Sequence, residues 1–532
     1  MNKCKSQALY LYEQFYLFFK YISSHLLSAL IILAGVLLTF GTYAFATDYY
    51  IDSEVVINIP GTNYNWLEIG RYGLVFVRKL LGTDWYNPYY TGLLLLLFLW
   101  LTAMTLAYIS GRFFPKLPVS VTTLGSLLFV TYPTFSEQYY FHYQSAEIAF
   151  GLWLSMIAAG MFFAFVHSRR IVCFILSLLI YVLTFSIYQS FVPLALCCYL
   201  GIFLSFILAK ETDTKLIKRS IAGSILHFSI AFGISQAIGR IFFTNSDYLG
   251  DQIIWTHAAS FWEAFKAVAS TCLRMFIGQG LFYTIILPIA VVSAAVVLLP
   301  YLLVRKKPED SPAFHRIVLA VLSVIGITVT PFILTMLMGQ STAARTQFTY
   351  PLAALFLLYF SVPTLLQSKL AFRFTKHIFP AFLLLLTLSQ IYTVRLIWNA
   401  HSYVAEHDRK LSTQIMEELY NSPVICDGVG TILWGNIQPE SPYEDALEYT
   451  PSTMFFSVFN LEHDMAPICY FSSIRVLGYM ESMGHIFPLP TYSNQFVAEY
   501  HMSREGLAIY PENGCTLGTP EAFVLNLGSS SE

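Results

Sequence analysis

Long apolar runs recur along this chain and limit its possible folds more than any other feature. An α-helix rises about 1.5 Å per residue, so roughly 20 apolar residues cross the ~30 Å hydrocarbon core of a bilayer. Charged residues make up only 12% of the 532 residues, against about 25% in a soluble protein. The sequence therefore predicts a polytopic α-helical membrane protein with about 11 transmembrane helices. The predicted spans are residues 26–46, 91–110, 119–133, 146–166, 171–187, 190–209, 221–242, 276–304, 315–338, 348–366 and 378–397.

The loops between these runs differ in their content of Lys and Arg. Cytoplasmic loops of membrane proteins carry an excess of these cations, which places the N-terminus in the cytoplasm. Eighteen of the 30 cations then lie on the inner side, in short loops: Lys3, Lys5, Lys20, Arg112, Lys116, Arg169, Arg170, Lys210, Lys215, Lys218, Arg219, Arg305, Lys306, Lys307, Arg316, Lys369, Arg373 and Lys376. We therefore predict a multi-pass cell-membrane protein whose long loops face outward.

After residue 398 the composition changes. Residues 399–532 contain no run long enough to span a bilayer, and Ser402–Tyr420 has the spacing of an amphipathic helix. We predict a multi-span membrane domain at 1–398 and a small α+β extracytoplasmic C-terminal domain at 399–532. Three short apolar runs between turn residues are typical of strands in that domain: Pro423–Cys426, Ile468–Phe471 and Ala522–Leu527.

The outer loop at 47–90 carries three carboxylates where the first span ends: Asp48, Asp52 and Glu54. A carboxylate at the mouth of a membrane cavity can act as a general base, taking the proton of an acceptor hydroxyl while its oxygen attacks an anomeric carbon. In an extended loop Asp52 and Glu54 point to the same side because they are two residues apart. We interpret 47–90 as a catalytic loop; the alternative is that these are ordinary solvated loop residues.

The same loop continues into Trp66–Leu81, an apolar run with helical spacing. An interfacial helix of this kind lies with its apolar face in the membrane and turns its cations toward the lipid head groups. Arg71, Arg78 and Lys79 are then available to the phosphate of a lipid-linked substrate. The alternative is a membrane-surface helix with snorkelling cations and no part in catalysis.

Other outer loops supply further candidates for substrate binding. Arg345 stands in a short outer loop and can hold a phosphate through two parallel hydrogen bonds, unless it is a structural partner of a loop carboxylate. Tyr188 and Gln189 either line a cavity roof or simply form the tight turn between two spans. Glu137 and His142 lie among aromatic residues that can stack on a sugar ring or form an interfacial belt.

The order of these residues resembles the glucosyltransferase type II family. Its members are O-antigen glucosyltransferase-like membrane proteins of the GT-C superfamily. The resemblance covers about residues 26–400, and family members often carry two adjacent acidic residues where Ser53 here separates Asp52 from Glu54. It rests on Tyr49-Tyr50-Ile51-Asp52-Ser53-Glu54, Trp66, Gly70-Arg71-Tyr72-Gly73, Tyr188-Gln189-Ser190 and Arg345.

The resemblance implies a transferase that moves a hexosyl group, glucosyl in the family, from a polyprenyl-phosphate sugar to a cell-envelope glycan on the outer face. Asp52 is then the base or orients the acceptor, with Glu54 assisting. Arg71 and Arg345 stabilise the phosphate leaving group. The choice of base and the stereochemistry, inverting or retaining, stay open. The chain has neither a Gly-rich phosphate loop nor a metal-binding spacing, so we expect no cofactor and no metal.

Two other functions compete with transfer. A glycan or lipid flippase, or a solute transporter, usually carries ionisable groups near the membrane midplane, whereas His227 is the only titratable group predicted there and fits a satisfied histidine between helices. A non-catalytic scaffold for envelope assembly is the other alternative, with residues 399–532 as its binding module. The net charge of −2 gives no indication of nucleic-acid binding.

Overall fold

The chain forms two compact units. A computed structural model describes residues 2–46, 53–58, 63–85, 87–208, 214–243, 253, 255, 260–304, 311–365, 374–448, 450, 452–460 and 469–528. The first unit consists of Met1–Ala46, Asn63–Tyr139 and Gln144–Arg395. The second consists of Thr47–Thr62, Tyr140–Tyr143 and Leu396–Glu532. The predicted domains, 1–398 and 399–532, stay a prediction.

Helices dominate the chain up to residue 365. In chain order they are α1 Asn2–Ser24, α2 Leu26–Ala44, α3 Ser53–Asn58, α4 Asn63–Glu68, α5 Tyr72–Leu81, α6 Pro88–Phe113, α7 Val119–Val130, α8 Thr134–Tyr140, α9 His142–Ser168, α10 Ile171–Ile187, α11 Phe191–Leu208, α12 Thr214–Phe242, α13 Phe261–Ile277, α14 Ile286–Val304, α15 Ser311–Val329, α16 Ile333–Met338 and α17 Thr349–Leu365. Short 3-10 turns occupy Thr330–Phe332 and Ala344–Thr346, and a π-helical turn occupies Phe374–Ile378.

Several of these helices are long and apolar enough to cross a membrane. In the described ranges there are six: Leu26–Ala44, Pro88–Phe113, His142–Ser168, Lys215–Phe242, Ile317–Met338 and Lys376–Asn421. The other predicted spans coincide with shorter apolar helices at Val119–Val130, Ile171–Ile187, Phe191–Ile207, Ile286–Leu298 and Thr349–Ser361. The protein is thus a helical membrane protein, and the number of eleven spans stays a prediction.

Small residues allow the first helices of this unit to pack closely. Gly92 of α6 lies against the backbone of Ala44, and a Cβ there would approach the Ala44 Cα to 2.8 Å. Further along α6, the indole nitrogen of Trp100 donates a hydrogen bond to the carbonyl of Ala29, 3.0 Å away. Since Ala44 ends α2 and Ala29 lies near its start, the two helices run antiparallel. The ends joined by residues 45–87 are therefore neighbours.

The run predicted as one helix at Trp66–Leu81 is two helices. Gly70 has a φ of +76° and follows the end of α4 at Glu68. Gly is favoured in this left-handed conformation because it has no Cβ. The chain turns at Gly70, and α5 begins at Tyr72. The prediction of a single helix was wrong. It relied on the helical spacing of the apolar residues and did not take into account that Gly70 can end a helix.

The second unit combines helices with a small sheet. The elements after Phe374–Ile378 are α18 Phe379–Asn421, α19 Pro423–Cys426, α20 Glu444–Leu447, α21 Cys469–Ser482 and α22 Tyr492–Glu505, a 3-10 turn at Thr453–Phe455, and strands β1 Thr431–Gly435, β2 Thr516–Gly518 and β3 Phe523–Gly528. The strand order is β1-β3-β2. β3 pairs in parallel with β1, Leu433 opposite Leu525, and antiparallel with β2.

Both faces of this sheet are covered. Side chains alternate along a strand, so Leu433 and Leu525 enter one hydrophobic cluster with Ile415 and Leu419 of α18. The neighbouring residues of the two strands enter a second cluster, on the other face, with Ala498 of α22. The sheet is thus the centre of the second unit.

Two of the three predicted strands are helical. Pro423–Cys426 forms α19, in which Pro423 occupies the first position, where its fixed φ suits a helix and its missing N–H is not needed. Cys469 opens α21, so the run predicted at Ile468–Phe471 is also helical in its described part. α21 buries Val476, Leu477 and Met480, which have the spacing of a helix. These residues lie beyond the short run that was interpreted as a strand. The prediction at Ala522–Leu527 is confirmed by β3.

Candidate active site

Arg71 is held by the turn between α10 and α11. Its Nε donates to Oε1 of Gln189 at 3.3 Å, and its guanidinium carbon lies 4.6 Å from the centre of the Tyr188 ring. The amide nitrogen of Gln189 donates in turn to the carbonyl of Ile69 at 3.0 Å. Arg71 thus meets two predicted site residues, Tyr188 and Gln189, that lie more than 100 positions later in the sequence. Tyr188 is buried, whereas Arg71 and Gln189 are half-buried, so the cation is fixed without being enclosed.

Two glycines of the Gly70-Arg71-Tyr72-Gly73 motif make this cluster possible. Gly70 supplies the left-handed turn that directs Arg71 away from α4. Gly73 lies so close to the end of α10 that a Cβ would approach the carbonyl oxygen of Leu183 to 2.8 Å. A larger residue at position 73 would push α5 away from α10. The motif therefore sets both the direction of Arg71 and its distance from the turn.

Arg345 is paired with Glu137. Its backbone N–H donates to Oε2 of Glu137 at 2.7 Å, and its Nη1 lies 3.3 Å from Oε1. The Glu137 side chain is only 1% exposed, while 28% of the Arg345 side chain remains exposed. The interpretation of Arg345 as the partner of a carboxylate thus agrees with its contacts, although its side chain is not fully buried.

An aromatic bridge joins the surroundings of the two arginines. We use this name for Tyr188, Phe348 and Phe135. The ring of Phe348 lies 6.1 Å from that of Tyr188 and 5.1 Å from that of Phe135. Phe348 follows Arg345 by three residues, and Phe135 precedes Glu137 by two. The aromatic bridge thus connects the ring that contacts Arg71 with the segments that carry Arg345 and Glu137.

Arg78 does not reach toward head groups as predicted. Its side chain is 2% exposed and forms an ion pair, at 3.6 Å, with the fully buried Glu147 of α9. The guanidinium also lies 4.7 Å above the Trp66 ring, which is itself buried. Thr83 donates a further hydrogen bond to Glu147. The prediction was wrong for Arg78 because a buried carboxylate 69 positions later gives it a partner, whereas Lys79 is exposed as expected.

Glu54 belongs to the second unit and is held there by α21. It is 4% exposed and forms an ion pair with Arg475. One turn later in α3, the amide of Asn58 donates to the carbonyl of Gly478 at 2.8 Å. These contacts fasten α3 along α21. Sequence reasoning missed Arg475, because nothing in the sequence indicates a partner 421 positions away.

Some of the remaining candidates are described by the structure and others are not. Asp48 and Asp52 lie outside the described residues. His142 is completely buried at the start of α9 and belongs to the second unit. His227, interpreted as a satisfied histidine, is confirmed as one by Tyr199 at 2.6 Å and the carbonyl of Phe174 at 3.2 Å. Within the described ranges, no three His, Cys, Asp or Glu side chains gather as a metal site would require.

A comparison with known protein families identifies the family of the chain. The model of the glucosyl transferase GtrII family matches residues 41–364. The chain belongs to this family. No curated relative and no solved structure matches it. The matched segment of this glucosyltransferase includes the Arg71 cluster, the Arg345–Glu137 pair and the aromatic bridge.

The protein is accordingly an enzyme, a glycosyltransferase embedded in a membrane. Its family match begins within α2 and ends within α17. The match thus covers both partly exposed arginines, Arg71 before α5 and Arg345 in a 3-10 turn, together with the loop that contains the candidate carboxylates. The second unit beyond Leu396 lies outside the match.

Proposed function

We propose that this glucosyltransferase moves a glucosyl group from a polyprenyl-phosphate-linked donor to a cell-envelope glycan on the outer face of the membrane. The proposal is carried by one observation, the fixed but half-exposed position of Arg71 beside Tyr188 and Gln189, within the family match. A lipid-linked donor keeps its reactive phosphate at the bilayer surface. A cation held near the ends of apolar helices suits such a donor.

The bond changes require one base and one group that accepts negative charge. In a direct displacement, Asp52 takes the proton of the acceptor hydroxyl as its oxygen forms a bond to the anomeric carbon. The bond between that carbon and the phosphate oxygen breaks, and the electron pair leaves with the polyprenyl phosphate. Asp48 is the second carboxylate proposed at the site.

Arg71 and Arg345 would stabilise the charge that develops on the leaving phosphate. A fixed donor is effective because it needs no rearrangement as the charge appears. Gln189 and the ring of Tyr188 hold Arg71, while Glu137 holds Arg345 through its backbone and side chain. Trp66 and His142 remain proposed substrate-binding residues, and both are buried in the structure.

Glu54 has a different part in this proposal. Its ion pair with Arg475 uses the carboxylate to fasten α3, the segment that directly follows Asp52. We assign Glu54 as a positioning residue and Asp52 as the base. The family match supports this enzymatic interpretation over a flippase or a scaffold.

Transfer of labelled glucose tests the proposal. Membranes containing the protein are supplied with glucosyl polyprenyl phosphate and an envelope glycan, and label in the glycan is measured. Asp52→Asn should lower the rate by about 10²–10⁴-fold. Asp84→Asn, which changes an exposed carboxylate of the same loop, serves as the matched control and should transfer normally. Normal transfer by the double variant D52N/E54Q would refute the mechanism, and no transfer by the wild type would refute the donor.

The same assay separates a base from a positioning residue. Glu54→Gln and Arg475→Gln break the same ion pair, so a positioning role predicts similar losses, about tenfold each. If Glu54 is instead the base, its substitution should lower the transfer rate far more than substitution of Arg475.

A further inference from the structure

An apolar pocket lies between α1, α6 and α9, away from the proposed transfer site. It has a cavity volume of about 160 Å³. Its lining consists of Gln14, Phe15, Phe18, Phe19, Thr105, Tyr108, Ile109, Arg112, Phe113, Trp153, Ile157, Gly160, Met161 and Phe163. Most of these side chains are aromatic or aliphatic, so the pocket suits a hydrocarbon chain.

One end of the pocket is cationic. Arg112 donates to Oε1 of Gln14 at 2.7 Å, and its guanidinium lies over the rings of Tyr108 and Phe163 at 5.7 and 6.0 Å. No acidic residue is present in the described lining. Arg112 is half-buried, and a guanidinium carries several N–H donors arranged to bind a phosphate. The combination of apolar wall and phosphate-binding cation matches the chemistry of an anionic lipid.

The position of the pocket along α6 distinguishes it from a donor site. Gly92, near the start of α6, lies against the end of α2, where the loop 47–87 begins. Arg112 is 20 residues further along the helix, which corresponds to about 30 Å, the thickness of a hydrocarbon core. The pocket is thus at the opposite end of α6 from that loop. By the predicted orientation, this end faces the cytoplasmic leaflet.

The pocket opens to its surroundings past α1. Phe15 and Phe19 line it, yet 51% and 64% of their surfaces are exposed. Further cations surround this end, since Lys116 is exposed just beyond α6 and the guanidinium of Arg170 lies 5.4 Å from the ring of Tyr10 in α1. Anionic lipids gather at such cationic surfaces of the cytoplasmic leaflet.

We propose that this pocket binds an anionic phospholipid of the surrounding bilayer, with one acyl chain between α1, α6 and α9 and the phosphate on Arg112. The occupant is argued from charge complementarity, the apolar wall and the lateral opening. The lipid is distinct from the sugar donor, and its binding does not depend on transferase activity.

Lipid retention by the purified full chain tests the site. Delipidated protein in a neutral detergent is mixed with phosphatidylglycerol, phosphatidylcholine or a polyprenyl phosphate, and bound lipid is counted by native mass spectrometry. Phosphatidylglycerol should bind about tenfold more tightly than phosphatidylcholine, and Arg112→Gln should remove that difference. Lys116→Gln, which changes an exposed cation outside the lining, is the matched control and should keep it.

A second variant protects the test against misfolding. Ile157→Trp fills the pocket while leaving Arg112 in place, so it should reduce phosphatidylglycerol binding although the charge is unchanged. Thermal unfolding of each variant without lipid verifies that it is folded. Equal binding of both phospholipids, or phosphatidylglycerol retention unchanged by both Arg112→Gln and Ile157→Trp, would overturn the proposal. It would also be overturned if polyprenyl phosphate bound more tightly than phosphatidylglycerol and that binding were lost in both variants.

Discussion

Two arginine–glutamate pairs in the first unit look alike in composition but differ in what surrounds them. Arg78 and Glu147 are 2% and 0% exposed, with the Trp66 ring against the guanidinium. In the other pair Glu137 is 1% exposed, but Arg345 keeps 28% of its side chain exposed. A fully buried ion pair is out of reach of a ligand. An ion pair whose arginine is partly exposed holds the cation in place where a ligand can approach it. The first therefore supports the fold, and the second is the better candidate for the reaction.

The largest effect is expected from breaking the enclosed pair. Glu147→Ala breaks the described ion pair and leaves the charge of Arg78 buried, which should lower the free energy of unfolding by about 3–5 kcal/mol. Thermal unfolding in detergent measures the change. Replacing both residues by Met should restore much of the loss, since an apolar pair of similar volume is often neutral. Lys79→Met changes an exposed cation and serves as the control. If the double Met variant were as unstable as Glu147→Ala, the ion pair would not have a purely structural role.

Breaking the open pair should affect catalysis rather than folding. Arg345→Gln should slow transfer by about 10²–10³-fold, roughly 2.7–4 kcal/mol of transition-state stabilisation, through loss of a fixed donor to the leaving phosphate. Arg345→Lys should recover part of the rate because a point charge remains. Rates and melting temperatures are measured on the same preparations. A variant that melts early but transfers normally per folded molecule would make Arg345 structural, like Arg78.

The smallest effect concerns the support of the other exposed cation. Gln189→Ala removes the acceptor for Arg71 and the donor to Ile69. The loss of one such hydrogen bond corresponds to about 1 kcal/mol, so transfer should fall roughly fivefold. Gln189→Glu keeps an acceptor for Arg71 and should lose less. If Gln189→Ala transfers as well as the wild type, the position of Arg71 does not depend on Gln189.

The contrast between the pairs also marks the limit of what the sequence predicted. The apolar runs predicted a helical membrane protein, and the short Tyr188-Gln189 turn was found where two spans meet. The motif around Arg71 was recognised, but the structure adds what its glycines do. Arg78 and Arg345 are both cations in predicted outer loops. One is buried and the other partly exposed because they pair with carboxylates in different helices. Side-chain burial depends on tertiary packing, which cannot be predicted from the spacing of residues in one segment of the sequence.

Errors in the second unit have a related origin. The runs at 423–426 and 468–471 are apolar and short, and such runs are compatible with either a strand or a buried helix. β3 was predicted correctly because its residues are apolar almost throughout, as expected of a strand covered on both faces. The Glu54–Arg475 pair connects segments that nothing in the sequence associates. A pair of this kind becomes visible only once α3 and α21 are seen together.

The strand order of the second unit has a consequence for how the protein is made. β3 is the last strand in the chain, yet it lies between β1 and β2 and contributes to both hydrophobic clusters. The sheet is therefore incomplete until β3 has been synthesised, however early β1 emerges. During that interval the apolar residues of β1 and α22 lack their main partner. Translation arrested before Phe523 should leave a membrane-inserted helical protein whose second unit is a substrate for proteases.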